Sequence, residues 1–270
     1  MKKIAILAIF AIFSLVAVVF IARSQLRKDL QKLTINVEGV ERFAYIVEPK
    51  SDVPASGLPL VLVFHGHGGT ALHAARKYRI HEAWPQAMVA YLQGIPGVAG
   101  ITDPEGKQNG WQKNPGELND RDLKFVDAFL AEIKLRAKID TSRIYALGHS
   151  NGGRFAHVLW HQRGNQIAAV ASCGGHGGTL IYTCIPRSIF VIAGQEDPLV
   201  PFQGQMLFVE AARQVLQTDP SKAIKNGYAS IEPGANGLEL GTYLHPGGHE
   251  WPKAATPFVI EFFKRHSIKQ

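Results

Sequence analysis

Residues 143–153 read Arg143-Ile144-Tyr145-Ala146-Leu147-Gly148-His149-Ser150-Asn151-Gly152-Gly153, and they decide the fold. Ile144 to Leu147 is a short apolar run, with a β-branched residue and an aromatic, of the length of a buried strand. It breaks at Gly148, and after Gly152 and Gly153 a helical pattern begins with Phe155, Val158 and Leu159. The order is strand, sharp turn, helix, with G-x-S-x-G at the turn. A serine pushed out at the tip of such a turn sits in strained backbone, and side chains two positions before or after it would collide with the flanking strand and helix. Ser150 is therefore the candidate nucleophile; a purely structural glycine-rich turn is the other reading.

The segments on either side alternate in the same way. Leu33–Val37 and Arg42–Val47 read as strands joined across Glu38-Gly39. Leu60–Phe64, Ala87–Leu92, Ile167–Ala171, Ile189–Ala193 and Glu239–Leu244 read as further strands, most of them continuous apolar runs as a strand covered on both faces requires. Between them, Ala71–Ile80, Asn119–Lys138, Met206–Leu216 and Pro257–Lys264 read as helices. Strands alternating with helices predict an α/β fold, a mostly parallel sheet between two helix layers, in one domain over residues 33–270.

Composition removes several function classes. The 270 residues are 46% hydrophobic with 27 glycines, which suits a globular enzyme with many tight turns. The net charge of +7 hints at nucleic acid, yet six of the 29 basic residues and one of the 22 acidic residues fall within residues 1–32. The remainder is near balance, so no nucleic-acid partner is expected. Ile4–Ala22 carries no charge and has Ser14 as its one polar residue. Such a run approaches the roughly 20 residues that span a bilayer and exceeds the 7–15 of a cleavable signal. Residues 1–32 are expected to be a signal anchor, with a cleaved signal as the alternative, and the body to lie outside the cytoplasm. In that oxidising setting Cys173 and Cys184, eleven positions apart, are expected to form a disulfide worth roughly 2–3 kcal/mol.

A serine hydroxyl needs a base to take its proton, and the base needs an acid to hold its tautomer. Both are present in chain order. After Val191-Ile192-Ala193-Gly194 comes Gln195-Glu196-Asp197-Pro198, and after the last strand comes His245-Pro246-Gly247-Gly248-His249-Glu250-Trp251-Pro252. Asp197 is preferred over Glu196, and His249 over His245, which lies nearer the strand. The oxyanion needs two N–H donors. The amide of Asn151 is one, and that of His67, in the Gly-rich loop after Phe64, is chosen as the other. A rival reading makes His65-x-His67 zinc ligands, but no further ligand follows at metal-site spacing, and no metal or other cofactor is expected. Trp111 and Trp251 are candidate cleft walls, with core packing as the other reading of each.

Phe-His-Gly, the acidic Asn119-Asp120-Arg121-Asp122 leading to Phe125-Val126, Asp140-x-x-Arg143-Ile144-Tyr145, Gly-His-Ser-Asn-Gly-Gly, Asp197-Pro-Leu-Val-Pro201 and Gly-Gly-His249-x-Trp-Pro252 follow in that order. The set resembles the polyhydroxybutyrate depolymerase-like and feruloyl esterase-like branch of the α/β-hydrolases, related to carbohydrate esterase family 1, over about residues 34–265. It departs from that pattern in its His-Gly-His-Gly-Gly loop. The resemblance implies a metal-free serine esterase acting on polyesters or on acyl groups of polysaccharides. Acyl transfer or peptide hydrolysis on the same triad is the alternative within enzymes, and a catalytically silent polysaccharide- or lipid-binding relative the alternative outside them.

Overall fold

Leu60, Leu62 and Phe64 alternate with Val61 and Val63, and both sets are buried. Period-two alternation sends each set to its own face of the sheet, so both faces must be covered. The computed structural model describes residues 29–98 and 103–268, and the expected sheet is there. Its strands are β1 (Gln31–Val37), β2 (Val40–Val47), β3 (Leu58–Phe64), β4 (Met88–Leu92), β7 (Ile139–His149), β8 (Ala169–Cys173), β9 (Ser188–Gly194), β10 (Ile224–Asn226), β11 (Ala229–Pro233) and β12 (Glu239–His245). A separate short ladder pairs β5 (Ile95–Pro96) with β6 (Asn109–Gly110).

The strand order is β1-β2-β4-β3-β7-β8-β9-β12-β11-β10. The six strands from β4 to β12 run parallel. Antiparallel hairpins close both edges, β1–β2 on one side and β10–β11 on the other. The second hairpin was not anticipated: Ile224–Asn226 is exposed and three residues long, too short for a periodic signal.

One face of the sheet is covered by α3 (Arg121–Arg136), α4 (Asn151–Arg163) and α5 (Phe202–Leu216), the other by α1 (Ala71–Tyr78), α2 (Ile80–Ala83) and α6 (Thr256–Lys264). The single helix expected over Ala71–Ile80 is broken because Arg79 adopts φ +52°. Likewise the helix expected from Asn119 starts at Arg121, since Leu118, Asn119 and Asp120 all have positive φ.

The two cysteines correct the disulfide expectation. Both are free and buried, and each thiol points at a different backbone carbonyl, Cys173 Sγ at Glu250 O (3.2 Å) and Cys184 Sγ at Leu180 O (3.2 Å). Cys173 ends a central strand, whereas Cys184 follows the short helical turn Gly178–Thr183, so separation along the chain says nothing about where the sulfurs aim. The apolar segment Ile4–Ala22 lies outside the described residues. Among the described residues no helix is long and apolar enough to cross a membrane.

Candidate active site

The carboxyl ends of the parallel strands carry the chemistry, as open α/β sheets require. Phe64 at the end of β3 is level with Gly148 of β7, and Gly194 at the end of β9 is level with His245 of β12. The loops that leave these points converge on one spot.

Ser150 occupies φ +55°, ψ −123°, a conformation that costs a non-glycine residue about 1–3 kcal/mol. Its amide donates to Cys173 O (2.7 Å), and its carbonyl accepts from Arg154 N (2.9 Å) as α4 begins. The glycines around it are there for space. A Cβ on Gly148 would collide with the carbonyl of Gly152, and one on Gly152 with the carbonyls of His65 and Phe64. A second pair, Gly174-Gly175 after β8, was not singled out from sequence. A Cβ on Gly175 would strike the Ser150 carbonyl, and one on Gly174 would stand 3.0 Å from the His249 ring.

The Ser150 hydroxyl donates to His249 Nε2 (2.8 Å), and His249 Nδ1 donates to Asp197 Oδ2 (2.8 Å). The structure thus brings together the three residues selected from chain order. Asp197 is buried, and its other oxygen, Oδ1, accepts from the amides of Leu199 (2.9 Å) and Val200 (2.8 Å). Burial by itself raises a carboxyl pKa. Here the Val200 and Leu199 amides and the His249 hydrogen bond outweigh it, so Asp197 stays ionised below its ordinary range. Gln205 of α5, which sequence reading missed, donates to Asp197 Oδ2 (3.3 Å) and Val200 O (2.8 Å) and braces the loop. Neither rival occupies the site: Glu196 is exposed, and buried His245 accepts from Gly247 N (3.2 Å) through Nδ1.

For the oxyanion, Asn151 directly follows the nucleophile and stands first in α4. Its side chain has a separate role: Oδ1 accepts from Trp111 N (2.7 Å) and Nδ2 donates to Trp111 O (2.9 Å). In the β3 loop the Gly68 amide donates to Asn109 O and that of Gly69 to Gly66 O, so both are committed, whereas among the described residues no backbone acceptor takes the His67 amide. His67 and Asn151 both line the cavity beside Ser150.

The tryptophans separate. Trp111 is 0% exposed and does not border the cavity. It stacks on Phe155 (5.3 Å between rings), packs edge-on to Phe64, and donates from Nε1 to His65 O (2.9 Å), which corrects its reading as a cleft wall. Trp251 is 2% exposed, yet it lines the cavity, with its ring against Tyr78 and its Nε1 donating to Thr256 Oγ1 (3.0 Å). The zinc alternative loses its first ligand: His65 Nε2 accepts from Gly94 N (2.9 Å) while Nδ1 donates to Gly66 O (2.7 Å), leaving neither nitrogen for a metal.

The cavity holds about 710 Å³, comparable to a small-molecule site. His149, on the elbow itself, donates from Nε2 to His249 O (3.2 Å) and helps hold that loop. Burial lowers His65 and His149 to a pKa of about 4, the nearby His249 adding to it for His149, and holds His157 well below its ordinary value. An unfolded histidine takes up its proton near pH ~6.5. Between there and about pH 4 the unfolded chain binds more protons than the folded one, so stability is full above that range and falls on acidification. Each histidine adds a slope of up to about 1.4 kcal/mol per pH unit. Urea midpoints should therefore be lower at pH 5 than at pH 7; an equal midpoint would show that these rings are charged or solvated in the folded state.

No family model matches the chain. NocK of Nocardia uniformis subsp. tsuyamanensis, a protein named as an esterase, is 26% identical over 261 residues, spanning 80% of this chain and 72% of its own length. Feruloyl esterase C of Emericella nidulans is 27% identical over 177 residues, 64% of this chain and 61% of its own, so the match spans less than two thirds of that relative. Among solved structures, the acetyl xylan esterase from Aspergillus awamori superposes with a TM-score of 0.66 at 13% identity, over 87% of this chain and 99% of its own. A thermostable esterase does so at 0.64 and 19% identity, over 89% and 64%. In sequence the chain is similar to esterases, and it shares the α/β-hydrolase fold of esterases related to the carbohydrate esterases; it is a carboxylic-ester hydrolase.

Proposed function

We propose that the chain hydrolyses carboxylic esters through Ser150, His249 and Asp197, by way of an acyl-enzyme, on acyl esters of polysaccharides or on a polyester such as polyhydroxybutyrate. The observation that carries this reading is the continuous line from the Ser150 hydroxyl through both nitrogens of His249 to Asp197, each step 2.8 Å, opening on the cavity. As Ser150 Oγ attacks the carbonyl carbon, its proton passes to His249 Nε2, and the carbonyl π electrons move to oxygen, where the amides of Asn151 and His67 receive the charge. Collapse expels the alkoxide, which takes the proton from His249 and leaves as the alcohol. Water then gives a proton to His249 while its oxygen attacks the acyl carbon, and the second collapse releases the acid and restores Ser150.

Support for the substrate class comes from the names of the relatives, feruloyl and acetyl xylan esterases. A panel of p-nitrophenyl esters of increasing chain length, with methyl ferulate, acetylated xylan and a hydroxybutyrate oligomer, tests it. Hydrolysis of simple aryl esters without any of the last three would sink the substrate class and leave the ester chemistry standing. The reading also places the catalytic body outside the cytoplasm, tethered by the uncharged run Ile4–Ala22 behind Lys2-Lys3. High-salt-washed membranes should retain the full-length protein, with its body open to added protease from the outer side. A soluble form beginning near Arg23 would show cleavage instead.

A further inference from the structure

The cavity that ends on Ser150 is unevenly charged. Lys77, Lys113 and Arg154 line it, and among the described residues Glu250, on the His249 loop, is the one acidic residue that does. No ion pair joins any of the three cations to a described carboxylate, while elsewhere on the surface Arg163 pairs with Asp127 and Arg213 with both Glu210 and Glu232.

Arg154 is the most telling of the three. It is half-buried in the first turn of α4, four residues after the nucleophile, and every hydrogen-bond acceptor it has is neutral. Nε donates to Lys113 O (2.7 Å), Nη1 to His176 O (3.1 Å) and Nη2 to Asn114 Oδ1 (2.7 Å). Those bonds tie the 113–114 loop and the 174–178 loop to one end of the cavity and make it a fixed wall. Glu117, whose charge reaches Arg154, spends its oxygens on the amides of Lys113 (2.8 Å) and Asn114 (3.0 Å) and on the Asn114 side chain (2.6 Å). A guanidinium has five N–H groups, so two remain, one on each terminal nitrogen, for a further acceptor. Keeping such a charge partly out of water, without a carboxylate, is costly unless a ligand supplies one.

Resting on the reading of Ser150 as the nucleophile of an ester hydrolase, we infer that the ester this site accepts carries a second, ionised carboxylate, seated against Arg154 and Lys113 while the scissile carbonyl lies on Ser150. That carboxylate belongs either to the acyl part, as in a half-ester of a dicarboxylic acid, or to the alcohol part, as in an acidic sugar.

Two acid–ester pairs decide it. Mono-p-nitrophenyl glutarate against its methyl ester puts the charge on the acyl side; 4-butyryloxybenzoate against its methyl ester puts it on the alcohol side. In each pair the ester attacked is of the same type; on the alcohol side the methyl ester also has the better leaving group, which works against the expected ratio. At low salt, kcat/KM for one of the acids should exceed that for its methyl ester by about tenfold or more, and added salt should shrink the ratio. The arm that responds assigns the side. In Lys113→Gln that ratio should fall at least about threefold, and in Arg154→Gln it should approach one. A purely structural defect would slow both members of a pair and leave the ratio alone. Methyl esters cleaved as fast as their acids, or a ratio untouched by Lys113→Gln, would overturn the inference while the ester chemistry stands. Cleavage of none of the four esters would overturn the reading of the site and this inference with it.

Discussion

Ser150→Ala should lower kcat for a soluble ester by about 10⁵ to 10⁶ and leave the fold intact. The size follows from what is removed. Without Oγ no acyl-enzyme can form, and in a serine protease loss of the nucleophile costs on the order of 10⁶ in turnover. The remaining acceleration would come from the oxyanion donors and from substrate binding, with water attacking directly. Stability should hardly change, because Ser150 Oγ bonds to His249 at the edge of the cavity, while its amide and carbonyl carry the structural bonds to Cys173 and Arg154. Alanine keeps the Cβ and hence the strain of φ +55°. Ser150→Gly should be just as inactive but more stable than Ser150→Ala, since glycine relieves that strain. Kinetics at high enzyme concentration beside urea melts of both variants would test this. Turnover near wild type in folded Ser150→Ala would remove Ser150 from the reaction.

The features legible in the sequence were those whose causes are local. The elbow could be read because its steric demand falls on Gly148 and Gly152 themselves, and the sheet could be read because strands buried on both faces become continuous apolar runs. Selecting Asp197 and His249 needed only chain order and loop position. What failed depended on neighbours distant in sequence. Trp111 sits in a loop rich in Gly, Pro and Asn, which suggests exposure, yet Asn151 clamps its backbone forty residues away and draws the ring into the core. The cysteines were paired by spacing, but the strand end and the helical turn that carry them aim the thiols elsewhere. Arg154 carries no signal of its own in the sequence, where it stands just before the helical pattern of Phe155, Val158 and Leu159. That it closes one end of the cavity depends on carbonyls from two loops, which no periodicity reveals.

Asp197→Asn should lower turnover by about 10⁴ with little effect on substrate binding, while Glu196→Gln should stay within about tenfold of wild type. The hydrogen bonds around Asp197 explain why so small a change does so much. Oδ1 faces two backbone donors, Leu199 N and Val200 N, so in the variant the amide oxygen must take that place. The –NH₂ group is then left where Oδ2 was, facing His249 Nδ1 and the Gln205 amide, which is also a donor. To accept from that –NH₂, His249 must move its proton from Nδ1 to Nε2. The nitrogen that should take the Ser150 proton would then already carry one. The variant would also lose the negative charge that steadies the imidazolium as it forms; the same exchange in a serine protease costs about 10⁴ in kcat. Glu196 has no such position: its side chain is exposed, and its bond to that loop is made by its backbone, from N to Gly247 O (3.1 Å). Steady-state kinetics of the two variants on one soluble ester would decide between the carboxylates, and the reverse ranking would transfer the role to Glu196.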